Sequence, residues 1–124
     1  MAILGIGIDL VEIDRFRETV TPRFIQRVFA KEEIEYAKTK KDPIPSLAVR
    51  FAAKEAVIKA FGWRLFSQSL KDIVILKTSD GPPSVLLHKK AQQKALESGA
   101  KEIFVSLTHT DSLAMAEVIV VGGD

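Results

Sequence analysis

The apolar positions of this 124-residue chain recur in two spacings, one typical of strands and one typical of helices. Short runs rich in β-branched residues predict strands, and apolar residues three or four positions apart predict helices. The predicted order is β-α-α-α-β-β-α-β-β. Because the strands come mostly as adjacent pairs, we expect an α+β fold with mainly antiparallel pairing and not a doubly wound parallel sheet. The predicted strands are 2–8, 72–77, 84–87, 102–108 and 113–121.

Residues with special backbone preferences mark the ends of the predicted helices. The first is predicted to begin at Asp9, the second to run over 22–37, the third over 47–61 and the last over 88–98. The end signals are a capping box at Asp9 and Glu12, Pro22 after Thr21, Ser46 as an N-cap, and Gly62 and Gly99 at two C-termini.

Composition removes several classes of protein. The chain has no cysteine, which excludes a disulfide framework, a thiolate zinc site and a cysteine nucleophile. Its two histidines are too few for a histidine metal cluster. Gly5-Ile-Gly7 lacks the third glycine of a dinucleotide-binding loop, since Leu10 stands at the position where that glycine is required.

With no apolar run near the ~20 residues of a membrane span and no basic signal region, we expect a cytoplasmic protein with no membrane or nucleic-acid partner.

The predicted helix 47–61 carries four charged residues on an almost wholly apolar background. At about 100° per residue, Arg50 and Lys54 form one stripe, and Glu55 and Lys59 form a second stripe on another side. The apolar remainder indicates a largely buried helix, so both charged stripes must find polar partners.

The stripe of Glu55 and Lys59 has two interpretations. Ala48 and Ala52 beside it would leave room for a diphosphate and its metal, with Glu55 binding the cation and Lys59 the phosphate oxygens. The alternative is a plain Glu–Lys pair on a solvated face, worth about 0.2–0.5 kcal/mol. These residues alone do not decide between the two.

Three other polar features are equally open. Asp9, after the first predicted strand, is either a metal ligand at a sheet edge or a helix cap. His109, expected in the turn between the last two strands, is either a phosphate ligand or a locally bonded turn residue. A basic stretch, 15–31, is either a docking site for an acidic protein or a solvated face. Its five cations, against the one anion Glu18, are Arg15, Arg17, Arg23, Arg27 and Lys31.

Three of these segments, in this order, resemble the motifs of the holo-acyl-carrier-protein synthases, the small trimeric phosphopantetheinyl transferases. They are Gly5-Ile-Gly-Ile-Asp9, Arg50-Phe-Ala-Ala-Lys54-Glu55-Ala-Val-Ile-Lys59, and Ser106-Leu-Thr-His109-Thr110. The resemblance is collinear from Ile6 to Val121, and the segment from Arg50 to Lys59 is its most specific part.

The resemblance implies a function as well as a fold. The chain, 1–124, would be a single phosphopantetheinyl transferase domain. It would transfer the 4′-phosphopantetheine group of coenzyme A to a serine of apo-acyl carrier protein and release 3′,5′-ADP, as a step of fatty acid biosynthesis. The resemblance further implies Mg²⁺ as the cofactor and a homotrimer with sites between subunits.

The resemblance also implies roles for individual residues. Asp9 and Glu55 would bind the metal and, with Lys59, would be the catalytic residues. The implied coenzyme A-binding residues are Arg50, Lys59, Pro83, His109 and Thr110. The implied carrier-protein-binding residues are Arg15, Arg23, Phe24 and Arg27.

Two alternative functions come from other classes. A non-catalytic module that docks an acidic protein would explain the basic stretch but not the polar residues Asp9, Glu55 and Lys59. A metal-dependent diphosphate hydrolase would explain the carboxylates but not the basic stretch. The chain also departs from the family where a glycine-rich loop is common, because Gly62 is followed by Trp63-Arg64-Leu65-Phe66.

Overall fold

The computed structural model describes residues 1–64, 67–77 and 80–123. Within these ranges the chain has the expected α+β fold, in which helices cover one face of an antiparallel sheet. The elements are β1 (Ala2–Glu12), α1 (Ile13–Thr19), α2 (Pro22–Val28), α3 (Lys31–Lys38), α4 (Ile44–Phe61), a 3-10 turn (Leu70–Asp72), β2 (Ile73–Leu76), β3 (Ser84–Leu87), α5 (Lys89–Glu97), β4 (Ala100–His109) and β5 (Leu113–Gly122).

The strands form two antiparallel sheets among the described residues. One has the order β1-β5-β4, and the other is the hairpin of β2 and β3. The predicted pairing of adjacent strands is therefore confirmed for β2 with β3 and for β4 with β5. The central strand β5 also pairs with β1, so the two ends of the chain share one sheet.

The first helix begins later than its predicted start at Asp9. Asp9 lies within β1 and pairs with Ala116, and the strand continues until Glu12 pairs with Leu113. Helix α1 begins only at Ile13. The prediction of a capping box at Asp9 is wrong, because pairing with β5 keeps this segment extended. Within the described part of the chain, no side chain caps the start of α1.

The segment predicted as one helix over 22–37 is divided into α2 and α3. Phe29 is fully buried and has an extended backbone, with φ −110° and ψ 142°. Glu33 then accepts a hydrogen bond from the Ala30 amide at 2.8 Å and starts the next helix. The apolar spacing continues across this break, so it gives no sign that the chain turns there.

Helix α4 is the centre of the molecule, and most of it is buried as predicted. It begins at Ile44, before the predicted cap Ser46, whose hydroxyl instead accepts a hydrogen bond from Arg50. It ends as predicted at Gly62, which has a left-handed φ of 70°. The room expected beside Ala48 and Ala52 does not exist, because both are fully buried in clusters that include the β5 alanines 114 and 116.

Strand β1 lies unusually close to α4. A Cβ atom at Gly5 would collide with the main-chain oxygen of Ala60, and one at Gly7 with that of Ala56. Glycine is therefore required at both positions for the strand to lie directly on the helix backbone. This close approach brings Asp9, two residues further on, beside the C-terminal half of α4.

The rest of the chain agrees with the predicted elements apart from their bounds. Gly99 follows α5 with a left-handed φ of 82°, and β4 extends to His109, which is therefore a strand residue and not a turn residue. The predicted loop and turn positions 65, 66, 78 and 79 lie outside the described residues. In the ranges described, no helix has the length and apolar character needed to cross a membrane.

Candidate active site

Asp9 and Lys59 are joined across the contact between β1 and α4. The Lys59 ammonium donates to Asp9 Oδ1 at 3.0 Å and to the main-chain oxygen of Ile8 at 3.0 Å. Among the ion pairs of the described residues, Lys59 pairs with Asp9 and not with Glu55. The interpretation of Glu55 and Lys59 as a plain helix-surface pair is therefore wrong.

Glu55 lies beside this pair and is half-buried. Burial is the main cause that raises the pKa of its carboxyl, the negative charge of Asp9 raises it further, and Lys59 opposes both. In the described part of the chain, the Glu55 carboxylate has no hydrogen-bond or ion-pair partner. Two neighbouring carboxylates, one of them without a partner, form an electrostatic setting that favours a bound cation.

A cavity of about 910 Å³ connects Glu55 to helix α2. We call it the α2 cavity. Arg23, Phe24 and Arg27 line it at the helix, and Phe51, Ile58 and Leu70 give it apolar walls. Three of the four residues predicted to bind the carrier protein thus share one cavity with a predicted metal ligand. Arg15, the fourth, is exposed on α1 with its guanidinium 3.9 Å from Glu12.

A second cavity of about 450 Å³ lies between the N-terminal half of α4 and β4. We call it the β4 cavity. It contains Arg50 and His109, two of the predicted coenzyme A-binding residues, together with Lys40 and Lys77. Asp42 also lines it, but Arg17 donates to both of its carboxylate oxygens. The remaining three cations and the histidine make this cavity suited to anionic phosphate groups.

Arg50 is held firmly inside the β4 cavity. Its Nη1 donates to the main-chain oxygen of Ser46 at 3.2 Å and to the Ser46 hydroxyl at 2.8 Å. The guanidinium lies 4.5 Å from the ring centroid of Tyr36. Among the described residues, its buried Nε has no hydrogen-bond partner. Burial is also the main cause that lowers the Arg50 pKa.

The two cavities lie on different sides of α4. Arg50 and Glu55 are about 140° apart around the helix axis. Asp9 lies on one edge strand of the sheet and His109 on the other. One chain therefore does not bring all the predicted site residues together.

Pro83 and Thr110 lie outside both cavities. Pro83 directly precedes β3. The Thr110 hydroxyl accepts hydrogen bonds from the amides of Ser112 and Leu113 and closes the turn between β4 and β5.

Sequence reasoning missed two polar groups near the site. Lys54 was placed on a stripe of α4, but its partner Glu33 is 21 residues away and no local pattern indicates the pair. Gln68, which lines the α2 cavity, has no motif around it. In the described ranges no group of three or more histidine, aspartate or glutamate side chains could hold a metal ion.

Comparison with known proteins places this chain in a family. The family model described as "4'-phosphopantetheinyl transferase superfamily" matches residues 5–117. The chain belongs to this superfamily.

Its relatives within that family are holo-[acyl-carrier-protein] synthases. The one from Treponema denticola is 45% identical over 122 residues, covering 97% of this chain and 99% of the relative. The one from Caldanaerobacter subterraneus is 40% identical over 121 residues, covering 96% and 95% of the two chains.

Solved structures agree with the relatives. The holo-ACP-synthase of Plasmodium yoelii superposes with a TM-score of 0.87 at 30% identity, covering 99% of this chain and 98% of that one. The holo-[acyl-carrier-protein] synthase of Helicobacter pylori, solved in complex with coenzyme A, superposes with a TM-score of 0.79 at 31% identity, covering 94% and 99%.

Proposed function

We propose that this protein transfers the 4′-phosphopantetheine group of coenzyme A to a serine of apo-acyl carrier protein and releases 3′,5′-ADP. The observation that carries the proposal is the α2 cavity, in which basic docking residues and Glu55 line one continuous space. A transferase with a protein acceptor needs this continuity, because the acceptor serine must reach the reacting phosphate. The names of the relatives, holo-[acyl-carrier-protein] synthases, support the same reaction.

We further propose that Asp9 and Glu55 bind Mg²⁺. The unpartnered carboxylate of Glu55 and the effect of Asp9 on its pKa support a shared cation at this position. Carboxylate oxygens suit Mg²⁺, which commonly takes one or two carboxylates and completes its shell with water and substrate phosphates. When bound, the ion would neutralise negative charge on the diphosphate.

The remaining charged residues would bind and orient coenzyme A. Lys59, held by Asp9 and the Ile8 carbonyl, would stabilise the negative charge that develops on the departing 3′,5′-ADP. Arg50 and His109, in the β4 cavity, would bind the nucleotide phosphates. Positioning and electrostatics would supply most of the rate, as in phosphoryl transfer generally.

The carrier protein would dock on α2. Arg23 and Arg27 would pair with acidic side chains, and Phe24 would contact an apolar residue beside them. Because this surface lines the same cavity as Glu55, docking would bring the carrier serine close to the diphosphate.

The active assembly would be a homotrimer. The outer face of the sheet exposes a row of large apolar residues, Ile6, Ile119 and Phe104, which are paired across the three strands. Ile6 is 59% exposed and Phe104 50% exposed in the single chain. An apolar face of this kind favours burial against another copy. Since the two cavities lie on different sides of α4, neighbouring copies could join the α2 cavity of one chain to the β4 cavity of the next.

The proposal extends to the setting of the reaction. The lack of cysteine is compatible with a reducing cytoplasm, and charging of an acyl carrier protein would make this a step of fatty acid biosynthesis.

One assay separates the proposal from its two alternatives. The protein is incubated with coenzyme A, Mg²⁺ and apo-acyl carrier protein, and the carrier is weighed by mass spectrometry. A gain of one phosphopantetheine group supports the transferase. Release of free phosphopantetheine with an unmodified carrier would identify a hydrolase, and binding of the carrier without reaction would identify a docking module.

A further inference from the structure

Tyr36 on α3 lines the β4 cavity beside two of its cations. The Arg50 guanidinium lies over the Tyr36 ring at 4.5 Å from the centroid, and the Lys40 ammonium lies over the same ring at 5.0 Å. A cation within about 6 Å of an aromatic ring is attracted to the negative face of that ring. One half-buried ring therefore holds two like charges close together at the wall of the cavity.

The contacts of Arg50 leave one of its donors for a ligand. The residue is only 3% exposed, and the main-chain and hydroxyl oxygens of Ser46 both accept from its Nη1 atom. Its Nε atom has essentially no accessible surface, so a ligand cannot reach it. The Nη2 atom has no hydrogen-bond partner in the described part of the chain and, unlike Nε, is accessible to solvent. The orientation of Nη2 therefore decides whether Arg50 can bind an anion.

Tyr36 can set this orientation because α3 is anchored one turn before it. Glu33, three residues earlier on the same side of α3, forms the buried ion pair with Lys54 at 2.7 Å. Lys54 lies one turn after Arg50 on α4, so the contact of Tyr36 with Arg50 lies directly beside this ion pair. The two bonds to Ser46 share the atom Nη1 and leave the guanidinium plane free to turn about it, whereas a flat ring against that plane prevents the turn.

We propose that Tyr36 is a positioning residue, which holds the guanidinium plane of Arg50 so that Nη2 donates to a nucleotide phosphate of coenzyme A. This inference rests on the proposed function. Without the ring, Arg50 would have to be ordered when the ligand binds, and the cost of that ordering would weaken the affinity. Because the reacting diphosphate would lie near Glu55, on another side of α4, the loss should affect nucleotide binding and not the chemical step.

The test separates the ring of Tyr36 from its hydroxyl group. In Tyr36→Leu, we expect the Kd for 3′,5′-ADP, measured by titration calorimetry, to rise by about 3- to 10-fold, the loss typical of one cation–π contact. The KM for coenzyme A should rise by a similar factor, while kcat and the KM for the carrier protein should change by less than about twofold. Tyr36→Phe is the matched control, because it keeps the ring and should bind 3′,5′-ADP within about twofold of the wild-type protein. Tyr36→Met provides the same test should the leucine variant unfold.

A second comparison shows whether Tyr36 acts through Arg50. In an Arg50→Met background, Tyr36→Leu should lose most of its effect on the Kd for 3′,5′-ADP. An undiminished effect in that background would overturn the proposal. So would a Tyr36→Phe protein that binds as weakly as Tyr36→Leu, or a Tyr36→Leu protein that loses kcat and keeps its Kd for 3′,5′-ADP. Failure of the wild-type protein to bind either coenzyme A or 3′,5′-ADP would instead overturn the proposed function, and this inference with it.

Discussion

Lys54 and Glu33 form an ion pair of 2.7 Å in which neither side chain is exposed to solvent. Lys54 also donates to the main-chain oxygens of Leu70 and Ile73. Glu33 accepts from the amides of Ala30 and Ile75. The pair therefore joins α3, α4, the 3-10 turn and β2. Burial is the main cause that lowers the pKa of Lys54, and Glu33 opposes it.

We expect Lys54→Met to lower the free energy of unfolding by about 3–5 kcal/mol, because Glu33 would be left as an unpaired buried charge. Chemical denaturation at neutral pH measures the change. Lys59→Met is the control on the same helix, where the side chain is 54% exposed and the loss should stay near 1 kcal/mol or below. Adding Glu33→Gln to Lys54→Met should recover part of the loss, and a double variant with fully additive losses would contradict this account.

Glu55→Gln should abolish phosphopantetheine transfer while leaving the fold intact. The substitution removes one of the two carboxylates proposed to hold Mg²⁺. In metal-free buffer the variant should melt at a temperature no lower than the wild-type protein, because burial and Asp9 disfavour the charged form of Glu55. Mass spectrometry of the carrier measures the loss of transfer, and thermal denaturation measures the melting temperature. Turnover close to wild type in Mg²⁺ would remove Glu55 from the proposed metal site.

Asp42 is expected to make a small contribution to stability that depends on pH. Arg17 donates to both of its oxygens, at 3.1 and 2.7 Å. These hydrogen bonds are the main cause that lowers the pKa of Asp42, and a bond from the Ile44 amide adds to it. A lowered pKa means that the stabilisation is present above the unfolded-state pKa and is lost as pH falls through the folded-state value.

Asp42→Asn should therefore be slightly less stable than the wild-type protein at pH 7, and the difference should vanish at acidic pH. Thermal denaturation between pH 7 and pH 3 measures it. A difference that persists unchanged at the acidic end would show that the charge of Asp42 is not its cause.

Arg23→Glu should weaken carrier-protein binding without weakening coenzyme A binding. The reversed charge would repel acidic side chains at the α2 cavity, and we expect the KM for the carrier to rise by at least about tenfold. Steady-state kinetics with each substrate varied in turn measures the KM for the carrier and the KM for coenzyme A. Lys101→Glu on β4 provides a charge reversal away from this cavity. Equal losses for both substrates would argue against separate surfaces.

Phe104→Lys should break the assembly, because it places a charge in the exposed apolar row of the sheet. We expect light scattering to give the mass of a single chain, with transfer activity reduced more than tenfold. Leu96→Lys on α5 alters a still more exposed apolar residue on a helix and should change neither property. A Phe104→Lys protein that keeps the wild-type mass would mean that this face does not join the copies.

Local chemistry made parts of the fold predictable from the sequence. Gly62 and Gly99 end their helices in left-handed conformations, which glycine adopts at no steric cost. Asp9 was misassigned as a cap because its conformation depends on pairing with Ala116, far away in the chain. The break at Phe29 was missed for a similar reason, since burial of the ring and the hydrogen bond that Glu33 accepts from the Ala30 amide override helical spacing.

The site was predictable in its residue types but not in its partners. Glu55 and Lys59 lie on one predicted stripe of α4, but nothing in the sequence indicates that Lys59 forms its ion pair with Asp9. Arg50 and His109 were named separately, and only the packing of α4 on β4 brings them into one cavity. Helical spacing already predicts that Arg50 and Glu55 lie on different sides of α4. The residues that complete each cavity come from distant parts of the chain, and the order of residues does not indicate them.

The distance between β1 and α4 is set by main-chain atoms, since Gly5 and Gly7 lie directly on the carbonyl groups of Ala60 and Ala56. Substitutions that repack side chains in the interior should therefore change the distance between β1 and α4 very little. The position of Asp9 relative to Lys59 should therefore tolerate drift in the core over evolution, while the two glycines themselves tolerate almost none. The position of Asp9 beside Lys59 therefore depends on the absence of a Cβ atom at Gly5 and Gly7.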